Sequence, residues 1–260
     1  MEEQSEQSEQ STQPKYLYQN PSANIFAPEY ANGRCGMGKK KIINRIILVR
    51  HGETEGNKLL MEGSSLRTHT LDTKLSELGE NQAKEIGDFF AKISYQPNKI
   101  VVSKLQRTFN TALPTIAYMS KLNYNYELNL TDEWIEYNGN RDEIVKGLES
   151  QTDWIYHKET RSEFTARISK AFEKIKVSGT IENPNQVLIF THSQVISAIL
   201  SKCIGKSFEQ STKCNNMVHF HLSNGSITCI DITEDNSIHI QCVNYTKHLS
   251  VPSGHHTPFV

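Results

Sequence analysis

"RIILVRHGETEGN", residues 45 to 57, holds four unbroken apolar residues, Ile46 to Val49, between two arginines and then turns polar at His51. An unalternating apolar run of this length suits a strand covered on both faces, as in a parallel sheet. Two more runs share the character, "KIVVS" at 99 to 103 and "QVLIFTH" at 186 to 192. Between the first two, Leu78, Ala83, Ile86, Phe89, Phe90 and Ile93 recur at helical spacing, with Ser76 placed to cap the helix ahead of Gly79. "QRTFNTALPTIAYMSKL" predicts a second helix bent near Pro114, Phe164, Ile168, Phe172 and Ile175 mark a third, and "VISAILSKCIG" a fourth that stops at a glycine. Residues 217 to 246 alternate with period two around Asn224-Gly225, which predicts an antiparallel hairpin at the sheet edge. The expected fold is α/β, three layers of helix, sheet and helix, with a mostly parallel central sheet.

In such sheets ligands bind beyond the carboxyl ends of the strands. That rule gathers Arg50 and His51 after the first run, Ser103 and Arg107 after the second, and His192 after the third. Two guanidinium groups and two imidazoles at one edge suit a dianionic phosphoryl group, because a guanidinium is a permanent cation whose forked donors match phosphate oxygens. Those cations also disfavour a proton on a neighbouring imidazole, which keeps it neutral and nucleophilic near pH 7. A lone His51 would read as a core or turn histidine, and a lone Arg107 as a surface residue. A cation at a helix N-terminus, however, opposes the helix dipole and calls for an anion.

The totals limit the alternatives. The 260 residues are 37% hydrophobic and 22% charged, enough for one core, expected over 44–250, with tails at 1–43 and 251–260. A net charge of -1 offers no field for a nucleic acid backbone. Five scattered cysteines without a C-x-x-C predict reduced thiols and a cytoplasmic setting. No run approaches the ~20 apolar residues of a membrane span, and the first residues lack the features of a secretory signal. "GRCGMGKK" from Gly33 fits a phosphate loop until Lys40 replaces the final Ser or Thr, and it precedes a strand rather than following one, so it reads as a basic connector. "HFH" at 219 to 221 lacks a third metal ligand and reads as a strand face.

The blocks "RHGETEGN", "LDTKLSELGENQA", "SKLQRTFNTA", "FTHSQVI" and "NYTKHL" occur in the order and places that resemble the histidine phosphatase superfamily, also called phosphoglycerate mutase-like, over roughly residues 45 to 249. The resemblance implies a phosphoglycerate mutase-like fold, His51 as a nucleophile that forms a phosphohistidine, and Arg50, Asn57, Arg107 and His192 as holders of the phosphate oxygens. It implies no metal and no cofactor. It also implies a carboxylic acid that protonates the leaving oxygen. Within "LNLTDEWIEYNGNRDEI" the register favours Glu133, with Asp132 and Glu136 as alternatives.

The expected activity is therefore that of a metal-independent phosphoric monoester hydrolase acting on a phosphorylated small molecule or phosphopeptide. A cofactor-dependent phosphoglycerate mutase is the first alternative, opposed by the lack of an E-R-H-Y-G-like insertion between Glu133 and His192. A catalytically weak scaffold of the same fold is the second. Arg67 and His69 point to a second anionic group on the substrate.

Overall fold

A computed structural model describes residues 41–61, 72–140, 142–146, 153–176, 179–206 and 220–253. The expectations for residues 1–40 (the N-terminal tail and "GRCGMGKK"), for Arg67 and His69, and for His219 of "HFH" lie outside the described residues.

Six strands form one sheet in the order β3-β2-β6-β1-β7-β8. They are β1 (Ile42–Arg50), β2 (Lys99–Ser103), β3 (Glu127–Thr131), β6 (Asn185–Thr191), β7 (Ile227–Thr233) and β8 (Ile238–Tyr245). β4 (Glu143–Val145) and β5 (Trp154–Tyr156) pair separately. β1, β6, β2 and β3 run parallel, whereas β7 is antiparallel to β1 and β8 to β7. The helices are α1 (Glu55–Met61), α2 (Glu77–Lys92), α3 (Gln106–Lys121), α4 (Arg161–Lys176) and α5 (Ser193–Cys203).

Side chains alternate across a strand, so the apolar run of β1 supplies two cores. Ile46 and Leu48 join Phe164, Ile168 and Phe172 of α4 and Val195, Ile196 and Ile199 of α5. Ile47 and Val49 join Ile86, Phe89 and Phe90 of α2 and Ala112 and Met119 of α3. The sheet is thus covered on both faces, which is why β1, β2 and β6 lack polar alternation. Ser76 caps α2, its Oγ accepting from Gly79 N at 3.1 Å.

The edge hairpin is present, but its turn is not Asn224-Gly225. The reversal between β7 and β8 falls at 234–237, where Asp235 accepts from Thr233 Oγ1 at 2.7 Å and from Ser237 Oγ at 2.8 Å, and Asn236 has φ +62°. Asn224-Gly225 stands before β7, and Gly225, at φ +70°, turns the chain beneath His51. The period-two pattern marks β7 and β8, but Phe220 to Ser223, read as strand and with Phe220 and His221 as a strand face, have no strand structure, and the pattern does not say which left-handed turn joins the strands.

A satellite core of Leu105, Ile135, Val145 and Tyr156 seats the β4–β5 hairpin at the end of the sheet that carries Arg107. No helix among the described residues is long and apolar enough to cross a membrane.

Candidate active site

The parallel register sets Arg50 beside Thr191, so the residues after each strand, His51 and His192, become neighbours with ring centroids 5.4 Å apart. His51 N donates to Thr191 O at 3.0 Å. Ser103, the last residue of β2, lies 2.8 Å from His192 Nε2 through its Oγ. Arg107 enters from the first turn of α3. The side chains of Arg50, His51, Ser103, Arg107 and His192 are all buried, a costly state that pairing with a ligand anion would relieve.

The geometry determines the tautomer of His51. Its Nδ1 lies 2.7 Å from Gly52 O, and a carbonyl can only accept, so Nδ1 carries the proton and Nε2 keeps its lone pair. Burial holds the His51 pKa well below the usual histidine value, and Arg107 and Arg50 lower it further against the opposing pull of Gly52 O. His192 is held down by burial and then by Arg107, His51 and Arg50, and its Nδ1 has no hydrogen-bond partner among the described residues. Arg50 falls to about 10, chiefly through burial, with Glu136 opposing and Arg107 reinforcing the shift. Its Nη1 donates to Leu222 O, and its buried Nε has no partner among the described residues.

Backbone packing fixes the nucleophile loop. A Cβ on Gly52 would come within 2.6 Å of Gly79 O, and one on Gly79 within 1.9 Å of Glu53 O, so the loop rests directly on the N-terminus of α2. Gly52 N donates to Thr111 Oγ1 at 2.9 Å and Glu53 N to Gln82 Oε1 at 2.9 Å. From below, Gly225 N donates to His51 O at 3.0 Å. Asn224 Nδ2 donates to His51 O at 3.2 Å, Gly52 O at 3.3 Å and Asn57 Oδ1 at 3.1 Å. Asn57 Oδ1 also accepts from Thr54 N at 3.1 Å and Thr54 Oγ1 at 3.0 Å, so its carbonyl end ties the loop together.

The structure does not bring Glu133 to this cluster. Its carboxylate pairs with Lys174 of α4 and, with Trp134 and Asn129, lines a separate cleft of about 270 Å³. Asp132 is exposed and lies 4.0 Å from Lys104. Of the three candidates, Glu136 is the one coupled electrostatically to the cluster, through Arg107 and Arg50, and its Oε1 accepts from Tyr137 N at 3.4 Å. Burial nevertheless raises its pKa above the ordinary glutamate value. The difference from the sequence register arises in the turn after β3. There Ile135 N donates to Asp132 O, Trp134 sinks into the α4 side core and Ile135 into the satellite core, so the first carboxylate free to turn back toward Arg50 is Glu136.

Sequence reasoning missed three other contributors. Asn224 carries the pattern of a hairpin turn and instead braces the nucleophile loop. Asp72 sits in the block "LDTKLSELGENQA" without an expected role; its Oδ1 accepts from Gln106 N at 2.9 Å, capping α3, and lies 3.9 Å from Arg107 Nη1. Tyr156, on a strand too short to predict, donates its hydroxyl to Glu136 O. The block pattern was a signal for Asp72, and nothing local marked Tyr156.

The constellation is a cationic pocket around the Nε2 of a neutral His51, with the Glu136 carboxyl group coupled to its two arginines and raised above the ordinary glutamate value by burial. That arrangement can accept a phosphoryl group on nitrogen and supply a proton to an oxygen.

Comparison with known proteins agrees. The profile of the Histidine phosphatase superfamily (branch 1) matches residues 46–246. The chain is 31% identical over 212 residues to the uncharacterized phosphatase PhoE of Bacillus subtilis, covering 79% of this chain and 96% of that protein. It is 26% identical over 205 residues to the adenosylcobalamin/alpha-ribazole phosphatase of Salmonella typhi, covering 73% and 91%. The alpha-ribazole phosphatase structure from Shigella flexneri shares the fold, with a TM-score of 0.56 at 18% identity over 77% of this chain and 96% of that one. All three are named as phosphatases, whereas the phosphoglycerate mutases of Treponema denticola and Candida albicans match over only 30% and 26% of this chain. With its motif blocks in order and this match across the whole sheet, the chain belongs to the histidine phosphatase superfamily, branch 1.

Proposed function

We propose that the protein is a metal-independent phosphatase that hydrolyses phosphomonoesters through a phosphohistidine on His51. The observation that carries this reading is the state of His51: Nδ1–H spent on Gly52 O, and Nε2 unprotonated beside two buried guanidinium groups. Arg50, Arg107 and His192, with help from Asn57, hold the equatorial oxygens, and Asn57 Oδ1 also keeps the loop that presents His51. Nε2 attacks phosphorus in line, the bond from phosphorus to the leaving oxygen breaks, and Glu136 gives that oxygen its proton. Glu136, now a carboxylate, takes a proton from water as the water attacks phosphorus. The nitrogen–phosphorus bond breaks, inorganic phosphate leaves and His51 is restored.

Glu136 is preferred to Glu133 as the acid because its carboxyl group is coupled electrostatically to Arg107 and Arg50, whereas Glu133 is paired with Lys174. Water is preferred to an acceptor hydroxyl because the mutase-type insertion is lacking and the relatives matched over most of the chain are phosphatases. The alpha-ribazole phosphatase among them supports a phosphorylated small molecule as substrate. The free thiols Cys203, Cys229 and Cys242 support a reducing, cytoplasmic setting.

The test is turnover of p-nitrophenyl phosphate in EDTA by the wild type and by His51→Ala. Hydrolysis by the wild type alone is expected. Equal inertness of both proteins would favour a scaffold, and dependence on added metal would overturn the metal-independent reading.

A further inference from the structure

The segment that carries Glu136 has no regular secondary structure, so its backbone carbonyls need partners from elsewhere. They find them in an unbroken series. Arg167 of α4 donates through Nη1 to Asp132 O at 3.3 Å, Glu133 O at 2.9 Å and Ile135 O at 3.2 Å. Thr191, next to His192, donates from Oγ1 to Trp134 O at 2.7 Å. Tyr156 donates to Glu136 O. Five consecutive carbonyls are thus held by side chains from α4, β6 and β5, and three of the five by one guanidinium group.

That guanidinium is itself fixed. Its Nε donates to Glu159 Oε2 at 3.1 Å, its Nη2 pairs with Glu159 Oε1, and it lies 5.2 Å from the Phe164 ring centroid. Glu159 is tied back to the same segment, its N donating to Asn138 O at 2.8 Å, and Asn138 Nδ2 donates to Tyr156 O at 3.1 Å. The hydrogen bonds of Arg167 and Glu159 run to each other and to the carbonyls of Asp132, Glu133, Ile135 and Asn138, so the pair bears on the acid through the main chain on either side of it.

We propose that Arg167, locked by Glu159, is a positioning residue for the general acid: it curls residues 132–135 around its guanidinium group and so sets the reach of the Glu136 carboxyl into the pocket. This rests on Glu136 being the acid. Lysine in its place keeps the charge but lacks the separate nitrogens that let Arg167 hold Glu159 through Nε and Nη2 while Nη1 faces the carbonyls.

The test uses leaving groups. A p-nitrophenolate leaves without a proton, whereas the alkoxide of β-glycerophosphate requires one, so a misplaced acid harms only the second substrate. For Arg167→Met the expected kcat/KM on β-glycerophosphate falls by about 10²-fold, with less than about threefold change on p-nitrophenyl phosphate. Arg167→Lys and Glu159→Gln should fall between wild type and Arg167→Met in that ratio. Glu136→Gln must show the same split if it is the acid. A split in Glu136→Gln without one in Arg167→Met overturns the positioning role alone. Absence of a split in Glu136→Gln overturns the acid assignment and the positioning role with it. Parallel loss on both substrates in Arg167→Met and Arg167→Lys alike would mean general damage and would also refute the proposal.

Discussion

Gly79→Ala sets helix propensity against the seating of the nucleophile loop. Gly79 occupies the first turn of α2, and in a helix alanine is favoured over glycine by about 1 kcal/mol. On propensity alone the substitution stabilises. The new Cβ, however, would lie 1.9 Å from Glu53 O and 2.9 Å from Glu53 N, both backbone atoms with no rotamer to yield. Ordinary van der Waals contact requires a displacement of roughly 1.5 Å. Glu53 O is the acceptor of Ser76 N at 3.0 Å, and Glu53 stands two residues from His51, so the movement breaks the clamp that seats the loop. Overpacking of this kind costs about 1–3 kcal/mol, which exceeds the propensity gain. A misplacement of about 1 Å near reacting atoms costs about 10²-fold in rate. Urea denaturation should therefore show a net loss of up to about 2 kcal/mol, and kcat/KM on p-nitrophenyl phosphate should drop about 10²-fold. A variant as stable and as active as wild type would refute the claim that the loop rests directly on α2.

Other outcomes follow from the same contacts. The profile of kcat/KM against pH on an alkyl phosphate should be bell-shaped: protonation of His51 ends activity below the ordinary histidine range, and loss of the Glu136 proton ends it above the ordinary glutamate value. Glu136→Gln should remove the alkaline limb and Glu133→Gln should keep it; the reverse pattern would restore Glu133 as the acid. His51, His192 and His248 all titrate lower in the folded protein, His248 at about 4, so the unfolded chain binds more protons below the ordinary histidine pKa. Their contribution to stability is complete above that pKa and is lost as pH falls through the folded values. Substituting His248 by Asn should flatten the fall in urea midpoint between pH 7 and pH 4, and an unchanged slope would contradict its assignment. Asn224→Ala, which removes the amide shared by His51 O, Gly52 O and Asn57, should lower kcat by about tenfold or more with a smaller change in KM, because it disturbs placement rather than the phosphate pocket. Arg45 and Asp231 form a fully buried pair with contacts of 2.8 Å between β1 and β7. Asp231→Ala should cost about 3–5 kcal/mol and a double apolar replacement much less, as thermal or urea unfolding would show.

Three of the four parallel strands were legible because Ile46–Val49, Ile100–Val102 and Val187–Phe190 are buried on both sides and need no polar alternation, whereas the half-exposed β3 shows no such run. His51, Arg50, Arg107 and His192 were legible because strand ends and a helix start specify their place along the chain. Glu136 was not. Its position depends on how many residues the turn after β3 uses to bury Trp134 and Ile135 in two different cores, a three-dimensional count without periodicity. Asn224-Gly225 shows the same limit from the other side, since a left-handed turn is readable as such but its destination is set by His51, 173 residues away. The β4–β5 pair, three residues each, is shorter than any pattern can declare, and with it the role of Tyr156 was hidden.

Hydrolysis by the proposed route passes through a covalent bond between phosphorus and His51. A rapid-quench experiment with a labelled phosphomonoester, run on the wild type and on Glu136→Gln to slow breakdown, tests it directly. Label that stays on the protein in alkali, is lost in acid and disappears in His51→Ala is the predicted result; steady hydrolysis with no label ever trapped on the chain would contradict it.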